Sequence, residues 1–187
     1  MTINSELVSF ETRIGNTLKR ATEAGIDEEL RSSLARYACV LTSGYIEESV
    51  RIIVGAWCRN KSHPHIHTYV GRQLDWFLNP KLNKILEILS HFSPAWHCSF
   101  ADILTDEEKD AINSVVNNRN LIAHGRNVGI SPEPMMRYFK ACKSAMHKLD
   151  QVVNAQELSV SLRHQRASYN DAPASTVKAV PDHLDAL

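Results

Sequence analysis

An arginine, an asparagine and a histidine fall within one short stretch of the chain, as Arg119, Asn120 and His124. A guanidinium can hold two phosphate oxygens in a bidentate fork. A histidine can transfer protons at physiological pH. Residues of these types in this order therefore suit chemistry on a phosphodiester, with Asn120 able to orient the histidine or to donate to phosphate.

The spacing of these residues limits how they can meet. Gly125 is typical of the residue just after a helix, which makes His124 the last residue of the helix. On an ideal helix Arg119 and His124 point roughly 140° apart, whereas Asn120 and His124 share a face. The histidine has some freedom to turn toward the arginine at the frayed helix end. A shared site is easiest to build in a cleft against another helix or against the same helix of a second subunit.

A structural alternative explains the same residues. A histidine at a helix C-terminus is favoured by the helix dipole, and Arg119 could reach a carboxylate elsewhere. An arginine beside an apolar stripe is costly unless a partner or ligand receives it. Spacing alone favours this alternative, because an arginine and a histidine recur at this spacing by chance.

The long helix predicted earlier in the chain carries a second polar group. Glu47 precedes Arg51 by four residues, which is favourable for a solvated ion pair on a helix surface. Glu48 instead interrupts an apolar stripe, and a carboxylate there calls for a cation such as Arg119. Which of the two carboxylates joins a site stays open.

Helical periodicity recurs along the chain and strand signals are weak, so the sequence predicts an all-α fold. Asp27 is expected to cap a long helix to about Asn60, whose broad apolar surface is typical of the centre of a bundle. Thr105 and Glu108 fit a capping box before the helix that carries Arg119. The stripe of the long helix contains Leu30, Leu34, Tyr37, Ala38, Leu41, Tyr45 and Ile52.

We expect a single bundle of five to six helices over residues 1–160, with a short packed segment around Trp96. Residues 161–187 lack periodicity and are expected to form a disordered tail.

Composition excludes several classes of function. The 187 residues carry 21 Lys and Arg against 21 Asp and Glu, so nucleic-acid binding would need a local basic patch. No apolar run of about 18 residues exists, and the first residues do not form a secretory signal. The four cysteines are scattered and are expected to be reduced and mostly buried, which indicates the cytosol.

Three histidines, His63, His65 and His67, alternate around Pro64. Alternate histidines would share one side of a strand, but a proline that opens a helix is the better interpretation. No nearby cysteine or carboxylate completes a metal site, so we expect no metal and no cofactor.

The tryptophans are interpreted as core anchors rather than as a platform for stacking bases. Five basic residues are interpreted as a solvated face, with an RNA path beside Arg119 and Arg126 as the alternative. The tryptophans are Trp57, Trp76 and Trp96, and the basic residues are Arg59, Lys61, Arg72, Lys81 and Lys84.

The segment Arg119–His124 resembles the arginine–histidine motif of HEPN domains, in which a polar residue often follows the arginine. Two stretches, residues 43–51 and residues 118–129, resemble the subgroup called RiboL-PSP-HEPN. The resemblance in element order spans roughly residues 30 to 150, which leaves the first 25 residues and the tail outside it.

The resemblance implies a metal-independent endoribonuclease, often a toxin or defence effector, with a composite site across a homodimer. It implies catalytic roles for Arg119 and His124, support from Asn120, and an acidic partner, Glu48 or Glu47, on an earlier helix. RNA is the expected partner, and an antitoxin or companion domain is the expected restraint. Two alternatives stay open: a HEPN-type module that binds RNA or a nucleotide without cutting, and a purely structural dimerisation module.

Overall fold

The computed structural model describes residues 5–23 and 25–170, with side chains described as far as Ala155. Within these residues the chain forms seven α-helices and no strand, which confirms the all-α prediction. The segment around Trp96 is itself a helix, so the number of helices exceeds the expected five to six. The helices are α1 (Ser5–Ala21), α2 (Glu28–Lys61), α3 (Pro64–Asp75), α4 (Leu82–Phe92), α5 (Pro94–Ile103), α6 (Asp106–Ala123) and α7 (Pro132–Asn170).

Local capping defines several of the helix starts. Asp27 accepts hydrogen bonds from the backbone N–H groups of Glu29 and Leu30, as an N-cap aspartate should. Pro64 opens α3 behind His63, which confirms the interpretation of that proline. Thr105 and Glu108 exchange hydrogen bonds in a complete capping box at the start of α6.

Helix α2 is the central helix and contacts α1, α3 and α6. Tyr45, Ile46 and Val50 are fully buried in its middle, in keeping with burial from two sides. The predicted stripe is wrong at the start of α2, where Leu30 and Tyr37 are exposed. The residues of α2 that face the core near this end are small, namely Ala35, Ala38 and Cys39. Small side chains at these positions allow a neighbouring helix to approach closely.

Helix α1 is held to the bundle by a buried apolar face and by one carboxylate. Ile14 and Leu18 are fully buried. Glu11 accepts a hydrogen bond from the Tyr45 hydroxyl at 2.9 Å, and its carboxylate lies 2.6 Å from Lys143 Nζ and 3.0 Å from His147 Nε2. One acidic side chain therefore joins α1, α2 and α7.

A first compact unit of the chain ends at Asn154. Helix α7 continues beyond it to Asn170, so the tail expected from residue 161 begins within a described helix. The rest of that expected tail, residues 171–187, lies outside the described residues. No helix in the described part of the chain is long and apolar enough to cross a membrane.

Candidate functional site

Helix α6 carries the candidate residues. Residues 108–116 of this helix pack against the rest of the bundle. Ile112, Val115 and Val116 are fully buried. Asn113 accepts a hydrogen bond at 3.1 Å from the backbone N–H of Leu82, the first residue of α4. Glu108, in the first turn of α6, bonds to Ser144 and Lys148 and so fastens the start of α6 to α7.

The C-terminal end of α6 closes with a Schellman motif. Gly125 has a φ of 68°, and its N–H donates to the carbonyl of Ile122 at 3.0 Å. The N–H of Arg126 reaches back to the carbonyl of Leu121 at 2.9 Å. These two bonds identify His124 as the C-cap and Gly125 as the residue after it, as the sequence predicted.

Arg119 is half-buried near this end of the helix. Its one hydrogen bond within the described residues runs from Nη1 to Oδ1 of Asn120, at 3.5 Å, which is long for such a bond. No described carboxylate forms an ion pair with it. The expectation that Arg119 reaches a carboxylate elsewhere is therefore not met in this part of the chain, and the guanidinium keeps most of its five donors available.

His124 is exposed at the helix end. Its backbone N–H donates to the carbonyl of Asn120 at 3.1 Å, which sets these two residues one above the other on the helix. Its imidazole makes no hydrogen bond to any described residue. The structure thus joins Arg119 to Asn120 and aligns Asn120 with His124, but it does not join the His124 ring to Arg119.

The acidic residues of α2 have other partners than the sequence suggested. Arg51 Nη1 pairs with Glu48 at 2.9 Å, so the expected pair between Glu47 and Arg51 is wrong. Glu47 instead accepts the backbone N–H of Asn79 at 2.9 Å. Glu48 lies three residues from Arg51 on the same helix, and this local partner satisfies it in place of Arg119.

The remaining candidate residue, Arg126, is exposed just beyond the helix end. The histidines around Pro64 have a structural role in part, because His63 caps α3 through a 3.4 Å bond from the N–H of His65. No group of three metal-binding side chains occurs among the residues that the structure describes.

The four cysteines are free, three of them buried and Cys98 exposed. Burial raises the pKa of the Cys39 thiol to about 12. Mostly buried, unpaired thiols agree with the sequence-based expectation.

The interpretation of the tryptophans is right for Trp96 and wrong for Trp76. Trp96 is buried and packs edge-on against the half-buried Trp57, with ring centroids 4.8 Å apart. Trp76 is 79% exposed. Leu74 and Phe77 are three residues apart and both face the core. This spacing could have predicted that Trp76, between them, points outward.

A model of the RiboL-PSP-HEPN family matches residues 3–155 of the chain. No curated protein and no solved structure matches it. The match begins before α1, so the expectation that the first 25 residues lie outside the family's domain is wrong. The packing of Ile14 and Leu18 and the bonds of Glu11 explain why α1 belongs with the rest. By the extent of this match, the chain belongs to the RiboL-PSP-HEPN family.

Proposed function

We propose that this protein is a metal-independent endoribonuclease with Arg119 and His124 as its catalytic residues. The observation that carries the proposal is the state of Arg119, which is half-buried without a described carboxylate partner, a few residues before the exposed His124. A desolvated cation with free donors is suited to an anionic ligand. Membership in a HEPN family suggests that this ligand is RNA.

The proposed reaction needs proton transfer and charge stabilisation. The 2′-hydroxyl of a ribose loses its proton to a base and attacks the adjacent phosphorus. The bond from phosphorus to the 5′-oxygen breaks, and that oxygen takes a proton from an acid. The products are a 2′,3′-cyclic phosphate and a 5′-hydroxyl, and DNA resists because it lacks the nucleophile.

The residues divide these tasks by their chemistry. His124 transfers protons, a contribution of about 10²–10⁴-fold. Arg119 binds the phosphate and the charge that develops on it. Asn120 accepts a long bond from Arg119 and shares a helix face with His124, so it is placed to support both residues when RNA is bound.

A second subunit would complete the site. The imidazole of His124 makes no described bond to Arg119, and five-residue spacing turns the two side chains apart. A two-fold axis near the end of α6 would bring two arginines and two histidines into one cleft. HEPN domains often dimerise and bind RNA, which supports this arrangement. In this proposal the enzyme acts in the cytosol as a toxin or defence effector, restrained by an antitoxin or companion domain.

The test is incubation of purified wild type, His124→Ala and Arg119→Ala with total RNA in EDTA, with analysis of the 3′ ends. We expect cyclic-phosphate ends from wild type and loss of cleavage in both variants. His97→Ala, which alters a histidine on α5, is the matched control and should cut like wild type. Cleavage by His124→Ala at the wild-type rate would refute the assignment.

The second candidate function is RNA or nucleotide binding without cleavage. The lack of a described bond between the His124 ring and Arg119 favours it, because binding needs only the cation. In that case neither wild type nor His124→Ala cuts RNA, and Arg119→Ala weakens RNA affinity. A structural dimerisation module would show neither effect.

A further inference from the structure

A groove between α3 and α4 lies outside the candidate site described above. Its volume is about 530 Å³, and it is open to solvent. The aromatic and charged side chains that line it include Tyr69, Trp76, Phe77, Lys84, Glu87 and His91.

Two aromatic rings at this groove are exposed to an unusual degree. Trp76 is 79% exposed and Tyr69 is 65% exposed, while Leu74 and Phe77 beside them are buried. Trp76 is the C-cap of α3, and its role there uses only the backbone N–H, which bonds to the carbonyls of Gln73 and Leu74. Its indole therefore contributes little to the fold and is free to contact a ligand. Exposed aromatic faces suit the stacking of nucleic-acid bases.

The segment that contains α3 and α4 is positively charged on balance in a chain that is neutral, although Glu87 places one negative charge at the groove itself. Residues 59–91 carry five Lys and Arg against two Asp and Glu, and four histidines besides. All five basic residues are exposed. This excess of cations along the segment favours a polyanion as the ligand.

One of these cations is held at the groove itself. Lys84 Nζ donates to the carbonyl of Leu78 at 2.9 Å and lies 5.5 Å from the centre of the Phe77 ring. An ammonium group fixed at a groove that also carries the exposed rings of Trp76 and Tyr69 can bind a phosphate while the bases stack. Arg72, on α3, offers a second exposed cation.

The groove is also connected to the helix that carries Arg119. The start of α4 is bonded to Asn113 of α6 through the N–H of Leu82. Asn113 lies six residues before Arg119, which is about 9 Å along the helix axis. A strand of RNA bound at the groove would therefore lie on an element anchored to α6.

We propose that the α3–α4 groove binds single-stranded RNA, with bases stacked on Trp76 and Tyr69 and phosphates held by Lys84 and Arg72. The choice of RNA rests on the proposed function. The groove would hold substrate on helices that are bonded to α6 and would add affinity that the neutral chain as a whole does not provide.

The test measures the affinity of full-length protein for a fluorescent single-stranded RNA oligonucleotide by anisotropy. His124→Ala serves as the parent, so that cleavage does not interfere. We expect Trp76→Ala to weaken binding about 5- to 100-fold, Trp76→Phe to weaken it less, and Lys84→Ala to reduce the salt dependence. Leu30→Ala, which removes another exposed apolar side chain, should leave the affinity unchanged.

The outcomes separate this proposal from the proposed function. If wild type cuts RNA in EDTA but Trp76→Ala binds RNA like its parent, the nuclease stands and the groove proposal is overturned. If wild type does not cut but Trp76→Ala weakens RNA binding, the groove stands and the nuclease falls. If Trp76→Ala leaves RNA affinity unchanged but lowers the sedimentation mass or releases a protein partner, the groove is a protein interface and the RNA proposal is wrong.

Discussion

The charged side chains at the two ends of α6 differ in how many hydrogen-bond partners they have. At the start of the helix Glu108 is 5% exposed and accepts hydrogen bonds from the Thr105 N–H, Ser144 and Lys148, at 2.7 to 2.8 Å. At the other end Arg119 has one long bond to Asn120, and the His124 ring has none to any described residue. A buried charge with a full set of partners stabilises the fold, whereas a half-buried charge with free donors is available to a ligand.

Glu11 follows the same pattern as Glu108. It is surrounded by Tyr45, Lys143 and His147, and bonds from these donors lower its pKa although its burial alone would raise it. The pKa of Glu108 is lowered in the same sense, against its burial, by Lys148, Ser144 and the capping box. Carboxylates with several hydrogen-bond donors therefore join helices, whereas Arg119 keeps donors that a ligand could use.

The sharpest test of the comparison removes Arg119. Arg119→Ala should lower RNA cleavage by about 10²–10³-fold, because it deletes a donor to the developing charge. It should change the free energy of unfolding by less than about 0.5 kcal/mol, since the side chain has one weak partner. Initial cleavage rates and urea unfolding measure the two effects.

Arg119→Lys is the control for this prediction. It keeps the charge but loses the bidentate fork, so an intermediate rate is expected. A large loss of stability in Arg119→Ala would show that the arginine is structural, and the contrast between the two ends of α6 would disappear.

The opposite effect is expected at the start of the helix. Glu108→Ala should destabilise the protein by about 3 kcal/mol, because it removes the capping box and leaves Lys148 without its carboxylate. Urea unfolding measures this loss. Glu107→Ala, at an exposed neighbouring position, should stay within about 0.5 kcal/mol of wild type.

Acid should remove the contribution that Glu11 and Glu108 make to the free energy of unfolding. Because the pKa values of Glu11 and Glu108 are lowered in the folded state, the unfolded chain binds protons before the folded chain does. Their contribution is complete above about pH 5 and is lost as the pH falls through the folded pKa values. Burial raises the pKa of Asp150, which acts in the opposite sense.

The free energy of unfolding measured by urea at several pH values tests this prediction. Glu11→Gln should show a shallower decrease with acid than wild type. An identical slope in the variant would show that the bonds of Glu11 do not stabilise the fold.

The smallest of these effects is expected at the C-terminal end of α6. Gly125→Ala should cost about 1 kcal/mol, because the left-handed φ of 68° disfavours a side chain. Gly125→Asn should cost less, since asparagine tolerates this conformation. Thermal unfolding compares the two variants, and equal melting temperatures for wild type and Gly125→Ala would contradict the role of the Schellman motif.

Much of α6 could be predicted from the sequence because its signals are local. The capping box of Thr105 and Glu108 and the stop at Gly125 depend on bonds within a few residues of each other. Periodicity also predicted the central place of α2. The resemblance of residues 43–51 and 118–129 to the RiboL-PSP-HEPN subgroup is confirmed by the match to that family's model. Within α2, however, the prediction that Leu30 and Tyr37 face the core is wrong. Several faces of the helix are similarly apolar there, so periodicity does not identify the buried one.

The sequence by itself determined the helices, their caps and the residue types that could act on a phosphodiester. Only the tertiary structure decided which charges meet: Glu48 pairs with Arg51, Glu47 holds Asn79, and Arg119 is left without a carboxylate among the described residues. It also decided that Trp76 faces solvent while Trp96 is buried. The physical reason is the distance along the chain between bonded groups. A helix cap is satisfied by residues next to it in sequence, whereas the partner of a long side chain depends on how whole helices pack.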